Sequence, residues 1–467
     1  MSEIAYRRTK TAVILLFFAF CLFTCIYLRI QDAPDEDMRY MIPQYIYTHH
    51  ALPTGSEPEL IHGIWGFSYA LYPYLSSIIS AFFMQMISLV TSRPTALLVA
   101  ARFTSVLAGT AFVFLVFKIG ELLFKKRESV LLFAVLCSFL PQFLFLCSYQ
   151  NNDSLALFAI ALIFYFWLRG HKDGWKLSSC TGLGIGCGVC ALSYYNAYGY
   201  ILCSIPVFLI SMGILKKRKK EILKKFLLVL GIAFLIGGWF FIRNAVIHDG
   251  DFLGRKTIAE QGELYAQEEY KPSQHETPAK LGLSFSETFL DSEEPYVDWV
   301  KNTVYSFIGV FSFLTLFMDL PVYILYLAFL LFGLLLFFIL GIRRNWWREK
   351  WRRVLLFTGG LCILIPLFMS LYNSYYSDFQ AQGRYLMPAL IPLMIMVAGG
   401  FDALFSSVPE QAEHGTDRTL PRLRCKKAGR NPACTGMILL TAFYGILFLI
   451  SYFGYLAPGC LTIFIGS

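Results

Sequence analysis

Long apolar blocks constrain this chain more than any other feature of its sequence. Residues 14–28, 131–146 and 320–342 are examples. A helix that crosses the hydrocarbon layer of a membrane needs roughly 20 mostly apolar residues, and inside lipid its backbone polar groups must pair within the helix itself. Only 15% of the residues are charged, whereas soluble chains carry about 25%. We therefore predict an all-α polytopic membrane protein, which excludes a water-soluble fold.

The distribution of charge predicts how the chain is threaded. We expect about eleven spanning helices, near residues 11–30, 96–119, 129–148, 154–169, 178–195, 197–215, 224–243, 319–341, 354–372, 385–405 and 436–458. With a cytoplasmic N-terminus, 29 of the 40 Lys and Arg residues lie in cytoplasmic loops, and 21 of the 31 acidic residues lie outside. That asymmetry follows the positive-inside rule. The first apolar run lacks a cleavage motif, so we interpret it as an uncleaved span.

Two more apolar segments, 67–90 and 304–318, would raise the count to thirteen but would invert the charge pattern of the later loops. We interpret them as juxtamembrane or re-entrant helices on the outer face. The whole chain, 1–467, is then one membrane domain. Its predicted parts are a first outer segment (31–95), a second outer segment (244–318) and a basic cytoplasmic loop (406–435).

Basic runs and cysteines have plain explanations in such a protein. The basic runs act as topology determinants beside anionic lipid, so we predict no nucleic-acid partner. Most of the 12 cysteines lie in apolar stretches, where free cysteine behaves as a small hydrophobe. Cys187 and Cys190 form a C-x-x-C without a second pair, and we therefore predict no metal site.

An acidic run stands at the outer end of the first span. Its carboxylates are Asp32, Asp35, Glu36 and Asp37, four within six residues. Neighbouring acids repel one another, which we expect to raise the pKa of at least one of them, and a raised pKa suits a general base. A solvated acidic turn that marks the end of the span is the alternative.

Four arginines on the predicted outer side are candidates for binding an anion. They are Arg39, Arg102, Arg243 and Arg384. A guanidinium fork can bind a phosphate at two points, and ionisable residues at membrane depth are functional candidates because they are costly. Snorkelling to lipid headgroups is the alternative for Arg243. Together with the acids, the four arginines predict a site for an anionic headgroup.

Polar residues near the same ends are candidates for substrate binding. They are His62, Asn152, Asp153, Asn244, Gln382 and Tyr385. For Asn152 and Asp153, capping of the following helix is the favoured alternative. Tyrosines between 194 and 200 fit either an interfacial aromatic belt or the wall of a sugar site.

Four short motifs, in this order, resemble the GT-C superfamily of membrane glycosyltransferases. That superfamily includes protein O-mannosyltransferases, the aminoarabinose transferase of lipid A and an uncharacterised bacterial set. The motifs are Asp35-Glu36 with Arg39-Tyr40, Ala101-Arg102-x-x-Ser105, Trp239 through Arg243-Asn244, and Gln382-Gly383-Arg384-Tyr385 with Pro388. The last is similar to an element of the bacterial set. Within the sequence given we expect no large soluble outer domain of the kind that some members have.

The resemblance implies an inverting glycosyltransferase. Its donor would be a sugar on polyprenyl phosphate, and its acceptor a hydroxyl of a cell-envelope glycan, lipid or protein, outside a bacterial cytoplasmic membrane. Asp35 or Glu36, with Asp35 favoured, would deprotonate the acceptor. Arg243 and Arg384, with Arg39 and Arg102 as further candidates, would stabilise the leaving phosphate. No cofactor is required, but a divalent cation stays open because the acidic run could bind one.

Two other functions remain as alternatives. One is a transporter or flippase of lipid-linked sugars, and the other is a surface-polysaccharide polymerase or ligase. A transporter would place charged residues deep within its spans, whereas the predicted span interiors here are nearly free of charge.

Overall fold

The computed structural model describes residues 1–290, 298–347, 349–406 and 432–464. Its α-helices in chain order are α1 Glu3–Tyr27, α2 Glu36–His49, α3 Leu75–Ser88, α4 Pro94–Leu123, α5 Arg127–Ser138, α6 Pro141–Leu146, α7 Asp153–Asp173, α8 Leu177–Ala191, α9 Tyr198–Ile214, α10 Lys219–Ile247, α11 Arg255–Tyr265, α12 Phe285–Phe289, α13 Trp299–Gly309, α14 Leu320–Leu336, α15 Lys350–Tyr376, α16 Leu390–Phe405, α17 Pro432–Ser451 and α18 Ala457–Cys460. The predicted all-α polytopic fold is confirmed. Most of the predicted basic loop, 406–435, lies outside the described residues.

Short non-α elements complete these parts of the chain. Strands β1 (Val310–Phe311) and β2 (Leu316–Phe317) form an antiparallel hairpin in which Val310 pairs with Phe317. Tight 3-10 turns cover Tyr195–Ala197 and Gly383–Ala389. The hairpin is a minor departure from an all-α fold, and it lies in the segment 304–318 that the sequence left ambiguous.

Nine helices of the described ranges are long and apolar enough to cross a membrane. They are Glu3–Tyr27, Pro94–Leu123, Asp153–Asp173, Tyr195–Ile214, Lys219–Ile247, Leu320–Ile342, Lys350–Tyr376, Gly383–Phe405 and Cys434–Cys460. Each coincides with one of the eleven predicted spans. The remaining two predicted spans, near 129–148 and 178–195, differ from the expectation in length or continuity.

The span predicted near 129–148 is broken. Helix α5 ends at Ser138, and α6 begins at Pro141 after an extended Leu140 with ψ of 121°. Proline has no N–H to donate and disfavours helical geometry in the residue before it. One continuous span was therefore the wrong prediction, and two short helices replace it.

The span predicted near 178–195 ends early, because α8 stops at Ala191. Its 15 residues make about 22 Å at 1.5 Å per residue, short of the ~30 Å hydrocarbon layer. A glycine lets α8 lie against α10: a Cβ on Gly184 would stand 2.9 Å from the carbonyl oxygen of Val229. The small residues of α8 thus serve close packing.

The predicted cytoplasmic segments meet at one end of the bundle. The N-terminal ammonium of Met1 pairs with Glu128, and Arg127 pairs with Glu3 at 2.5 Å. Lys126 donates to Ser406 at 2.9 Å. The acidic run lies beyond the other end of α1, which is 25 residues or about 37 Å long.

The two outer segments cover this far end with short elements. Helix α3 has 14 residues and α13 has 11, so at 1.5 Å per residue both are too short to cross the layer. Both fit the predicted juxtamembrane arrangement.

Candidate active site

The acidic run does not stay together in the fold. Asp32 accepts from Arg29 and, at 2.8 Å, from the hydroxyl of Ser312. Asp37 points outward, with 62% of its side chain exposed. Asp35 and Glu36 turn to two different arginines, described below. Because each carboxylate has its own surroundings, the mutual repulsion expected from the sequence does not govern this run.

Asp35 lies between two arginines from distant parts of the chain. Nη2 of Arg384 donates to its Oδ2 at 2.6 Å, and Nη2 of Arg39 lies 4.0 Å from the same oxygen. The Asp35 side chain is 26% exposed, while that of Arg384 is 8% exposed. The carboxylate is therefore held by charge and still open to an incoming group.

The backbone of Asp35 is strained. Its φ of 59° and ψ of 10° place it in the left-handed region, immediately before α2 begins at Glu36. Residues held there cost about 1–3 kcal/mol and cluster at functional sites, although Asp tolerates the region better than most. The strain aims this one carboxylate away from its neighbour in the run.

Two opposing effects act on the pKa of Asp35. Burial alone would raise the pKa, but the charges of Arg384 and Arg39 and the hydrogen bond from Arg384 outweigh burial and lower it below its ordinary value. The expectation of a raised pKa is therefore wrong for Asp35. Its carboxylate is therefore ionised at neutral pH.

Glu36 and Arg102 form a closed pair beside the site. Their side chains are 0% and 1% exposed. Arg102 donates through both Nε and Nη2 to the carboxylate, and through Nη1 to the carbonyls of Cys25 and Leu28. The backbone N–H of Gln150 donates to Glu36 at 2.7 Å. Every group is satisfied, so the predicted roles of Glu36 as base and of Arg102 as phosphate ligand do not fit this geometry.

Arg39 is buried with donors to spare. Its side chain is 3% exposed, and its guanidinium lies 5.1 Å from the ring of Tyr69 and 5.4 Å from that of Tyr194. Among the described residues, its Nε and Nη1 have no hydrogen-bond partner. Buried polar groups are normally paired, so these two donors are available to bind an anion.

Asp153 adds a second negative charge at the start of α7. It is 3% exposed, and it interacts electrostatically with Arg39 and Arg384. Within the described ranges its Oδ1 accepts no hydrogen bond. The N-cap residue of α7, Asn152, makes no capping bond with its side chain, and Asn151 before it accepts from the N–H of Ser154 at 2.9 Å. Capping therefore does not explain Asp153.

An open cavity of about 670 Å³ adjoins this cluster. Tyr385 lines it, and the hydroxyl of Tyr385 accepts from Arg384 at 3.1 Å. Asn152 also lines it, although its own amide is used by Ser76 and the Pro73 carbonyl. The aromatic residues of the lining are Trp65, Phe67, Tyr69, Tyr72, Tyr194, Tyr195, Tyr270, Tyr376 and Tyr385. Tyrosine and tryptophan combine an apolar ring face with a hydrogen-bonding group, which suits the binding of a sugar ring.

Gly383 brings the second arginine to the site. A Cβ at Gly383 would lie 2.0 Å from the backbone nitrogen of Phe307, so only glycine allows this approach to α13. Its N–H donates to the hydroxyl of Ser306 at 2.7 Å. Gln382 precedes the turn, and its carbonyl accepts from the Tyr385 N–H at 3.3 Å. The motif therefore acts largely through its backbone to aim Arg384.

Arg243 and Asn244, which were also predicted for the site, make structural contacts instead. Arg243 donates to the Leu52 carbonyl at 3.0 Å and to the hydroxyl of Tyr74 at 3.4 Å. The buried Asn244 donates to the Leu71 carbonyl at 3.3 Å. These bonds fasten the first outer segment to the end of α10, which explains both residues without a phosphate.

His62 organises a turn of the first outer segment. Its Nδ1 accepts from the N–H groups of Ile64 and Trp65 at 3.3 and 3.4 Å. Its Nε2 lies 3.8 Å from Asp37. The predicted contact of His62 with substrate has no counterpart in these bonds.

The described part of the chain offers no evident set of ligands for a cation. No group of three or more His, Cys, Asp or Glu side chains there could hold a metal ion. The physical reason is the dispersal of residues 32–37, whose carboxylates face separate partners.

The sequence missed some of the residues that build the cavity. Its far wall comes from residues 255–280, including Arg255 and His275, where no motif marks them. Gln380 and Asp378 also line it, just before the recognised motif. Tyr194 and Tyr195, which also line the cavity, carried a signal that the sequence left undecided between lipid and sugar.

Comparison with known proteins shows which solved structures share this architecture. A family model described as dolichyl-phosphate-mannose-protein mannosyltransferase matches residues 76–239. ArnT from Cupriavidus metallidurans, solved with undecaprenyl phosphate, aligns with a TM-score of 0.51 at 13% identity, over 86% of this chain and 61% of that one. The chain has the fold of the GT-C membrane glycosyltransferases. The resemblance seen in the sequence is thereby confirmed at the level of the fold.

An archaeal GT-C structure aligns over even more of the chain. The oligosaccharyltransferase AglB from Archaeoglobus fulgidus, solved with an inhibitory peptide and a dolichol-phosphate, gives a TM-score of 0.57 at 12% identity, over 96% of this chain and 56% of that one. Its apo form gives 0.54 at 14% identity, over 94% and 55%. The chain spans about three fifths or less of the length of these structures. No curated protein sequence matches it.

Proposed function

We propose that the protein is an inverting glycosyltransferase that moves a sugar from polyprenyl phosphate to an acceptor hydroxyl on the outer face of a bacterial cytoplasmic membrane. The observation that carries the proposal is Asp35, ionised and paired with Arg384, beside Arg39 with two unused donors. The lipid phosphates in the similar ArnT and AglB structures support a donor of this class. The acceptor would be an envelope glycan, lipid or protein.

Asp35 would act as the general base. It takes the proton of the acceptor hydroxyl while the acceptor oxygen bonds to the anomeric carbon, on the face opposite the phosphate. The bond from that carbon to the phosphate oxygen breaks, and its electron pair leaves with the polyprenyl phosphate. Attack from the opposite face inverts the anomeric carbon.

Arg39 and Arg384 would stabilise the negative charge that grows on the leaving phosphate. Preorganised donors in a dry site are effective because they need no reorganisation during the reaction. Arg384 donates to Asp35, and an incoming phosphate would compete for the same guanidinium. Donor binding would thereby loosen Arg384 from the base and restore its basicity.

The test compares two carboxylates of one turn in purified protein. Asp35→Asn removes the base, and Asp37→Asn is the control because Asp37 is 62% exposed. We expect Asp35→Asn to lower release of polyprenyl phosphate about a thousandfold while donor still binds, and Asp37→Asn to retain turnover. Turnover that survives Asp35→Asn contradicts the assignment. If the wild type consumes no donor from a panel of lipid-linked sugars, transport becomes the better hypothesis.

A further inference from the structure

A line of polar contacts joins Arg384 to the second outer segment. Nη2 of Arg384 donates to the hydroxyl of Tyr385 at 3.1 Å, and that hydroxyl donates to Oε1 of Gln380. Nε2 of Gln380 donates to Oδ2 of Asp378. On the other side of Asp378, Nε2 of His275 lies 3.8 Å from Oδ1.

The donors and acceptors in this line have one consistent direction. An ionised carboxylate only accepts, so Asp378 requires the NH₂ group of the Gln380 amide. The amide oxygen must then face Tyr385 and accept its proton. The remaining lone pairs of the Tyr385 oxygen are left for Arg384. The orientation of each group thus follows from that of Asp378.

The backbone of Gln380, in the middle of this line, is held by residues of two helices. The hydroxyl of Ser374, near the end of α15, donates to the Gln380 carbonyl at 3.2 Å and accepts from the Gln380 N–H at 3.3 Å. The same hydroxyl accepts from the indole of Trp299 at 3.0 Å. A positioned group performs well when its supporting bonds are themselves fixed on helices.

We propose that Asp378 and Gln380 are positioning residues for Arg384, through which the second outer segment controls the reaction. This inference rests on the proposed function. Arg384 must exchange one partner, Asp35, for the leaving phosphate, and the Tyr385 oxygen holds the guanidinium in place during the exchange. A misplacement of about 1 Å in such a site costs as much as a hundredfold in rate.

The cavity connects this line to the acceptor. His275, Asp378, Gln380 and Tyr385 all line it. An acceptor that enters between the two outer segments therefore meets the contacts that orient Arg384. Productive alignment of Arg384 would then depend on the presence of the acceptor as well as of the donor.

Gln380→Leu tests the proposal, because leucine keeps the size but neither donates nor accepts. We expect about a tenfold loss of kcat and a severalfold weaker affinity for undecaprenyl phosphate. In a Tyr385→Phe background, Gln380→Leu should add less than about twofold, since both changes break one line. Gln85→Leu is the matched control: its amide contacts the Tyr47 carbonyl and His50 in the first outer segment.

A second readout separates positioning from a merely structural role. If Arg384 is held less well, the acid limb of kcat/KM should move to higher pH in Gln380→Leu, because the depressed pKa of Asp35 depends on that arginine. Additive losses in the double variant, or an unmoved acid limb, would overturn the proposal.

Failure of the proposed function is distinguishable. If the wild type turns over no donor, affinity for undecaprenyl phosphate alone decides on the positioning role. Weaker binding by Gln380→Leu, with unchanged binding by Gln85→Leu, supports it. Equal binding by wild type and Gln380→Leu, or no binding by either, rejects it.

Discussion

Two adjacent carboxylates, Asp35 and Glu36, each pair with an arginine, and the two pairs differ in their exposure to solvent. Asp35 is partly exposed and strained, and its partner Arg384 also donates to Tyr385, which lines a cavity. Glu36 is fully buried. Its partner Arg102 also donates to the backbone carbonyls of Cys25 and Leu28, at the end of α1. One pair leaves donors unused around it, whereas the other leaves none in the contacts described.

We interpret Asp35 and Arg384 as a reactive pair, and Glu36 and Arg102 as a fastening pair that holds helices together. A reactive pair must be able to break when substrate arrives, which requires access and a competing ligand. A fastening pair must not break, because a lone buried charge is very costly. Glu36 and Arg102 tie together α1, α2, α4 and the turn at Gln150, and so hold the frame in which Asp35 is strained.

The largest effect should come from breaking the fastening pair. Glu36→Gln leaves Arg102 buried without a counter-charge, and removing one partner of a buried pair costs about 3–5 kcal/mol. Asp35→Asn should cost about 1 kcal/mol, because its carboxylate is partly exposed and exposed pairs contribute little. Thermal unfolding in detergent, followed by intrinsic fluorescence, measures both. Equal losses of stability would erase the distinction.

An apolar replacement sharpens the same contrast. The double variant Glu36→Leu with Arg102→Met removes both charges, and such swaps are often neutral or stabilising. We expect it to recover only part of the stability lost in Glu36→Gln, because the carbonyls of Cys25 and Leu28 and the N–H of Gln150 lose their partners, and to keep donor turnover within about threefold. Loss of turnover in a stable double variant would show that this pair takes part in the reaction.

The next effect concerns the arginine with unused donors. Arg39→Lys should raise the dissociation constant for undecaprenyl phosphate about 10- to 100-fold, because lysine lacks the fork and the stacking between two rings. Arg243→Lys is the counterpart, since Arg243 bonds the Leu52 carbonyl and Tyr74. Its binding should change less than about threefold. The reverse order would restore the phosphate role that the sequence predicted for Arg243.

The smallest effect is a displacement between two pH profiles of the wild type. Arg384 and Arg39 lower the pKa of Asp35, so the acid limb of kcat/KM, which reports the free enzyme, should lie below the ordinary Asp value of about 3.9. Activity is present above that pKa and is lost as pH falls through it. The limb of kcat should lie higher, because bound phosphate draws Arg384 away. Coincident limbs would contradict this exchange.

The sequence predicted the general outline of the site and only part of its contents. Asp35, Arg39, Arg384 and Tyr385 do come together. Glu36, Arg102 and Arg243 were also predicted but lie in structural contacts, because residue type and position at a span end do not reveal what a side chain faces. Short motifs carry that ambiguity whenever one charge could be either buried or bound.

Sequence by itself determined the membrane fold, since long apolar blocks have few solutions in lipid, and nine of its eleven predicted spans coincide with long apolar helices of the described residues. Only the tertiary structure decided which acid could react. Asp35 and Glu36 are neighbours in the chain, yet a single left-handed residue points them at different arginines. One of those arginines, Arg384, lies 349 residues away, and no local pattern encodes a contact that depends on the packing of the whole bundle.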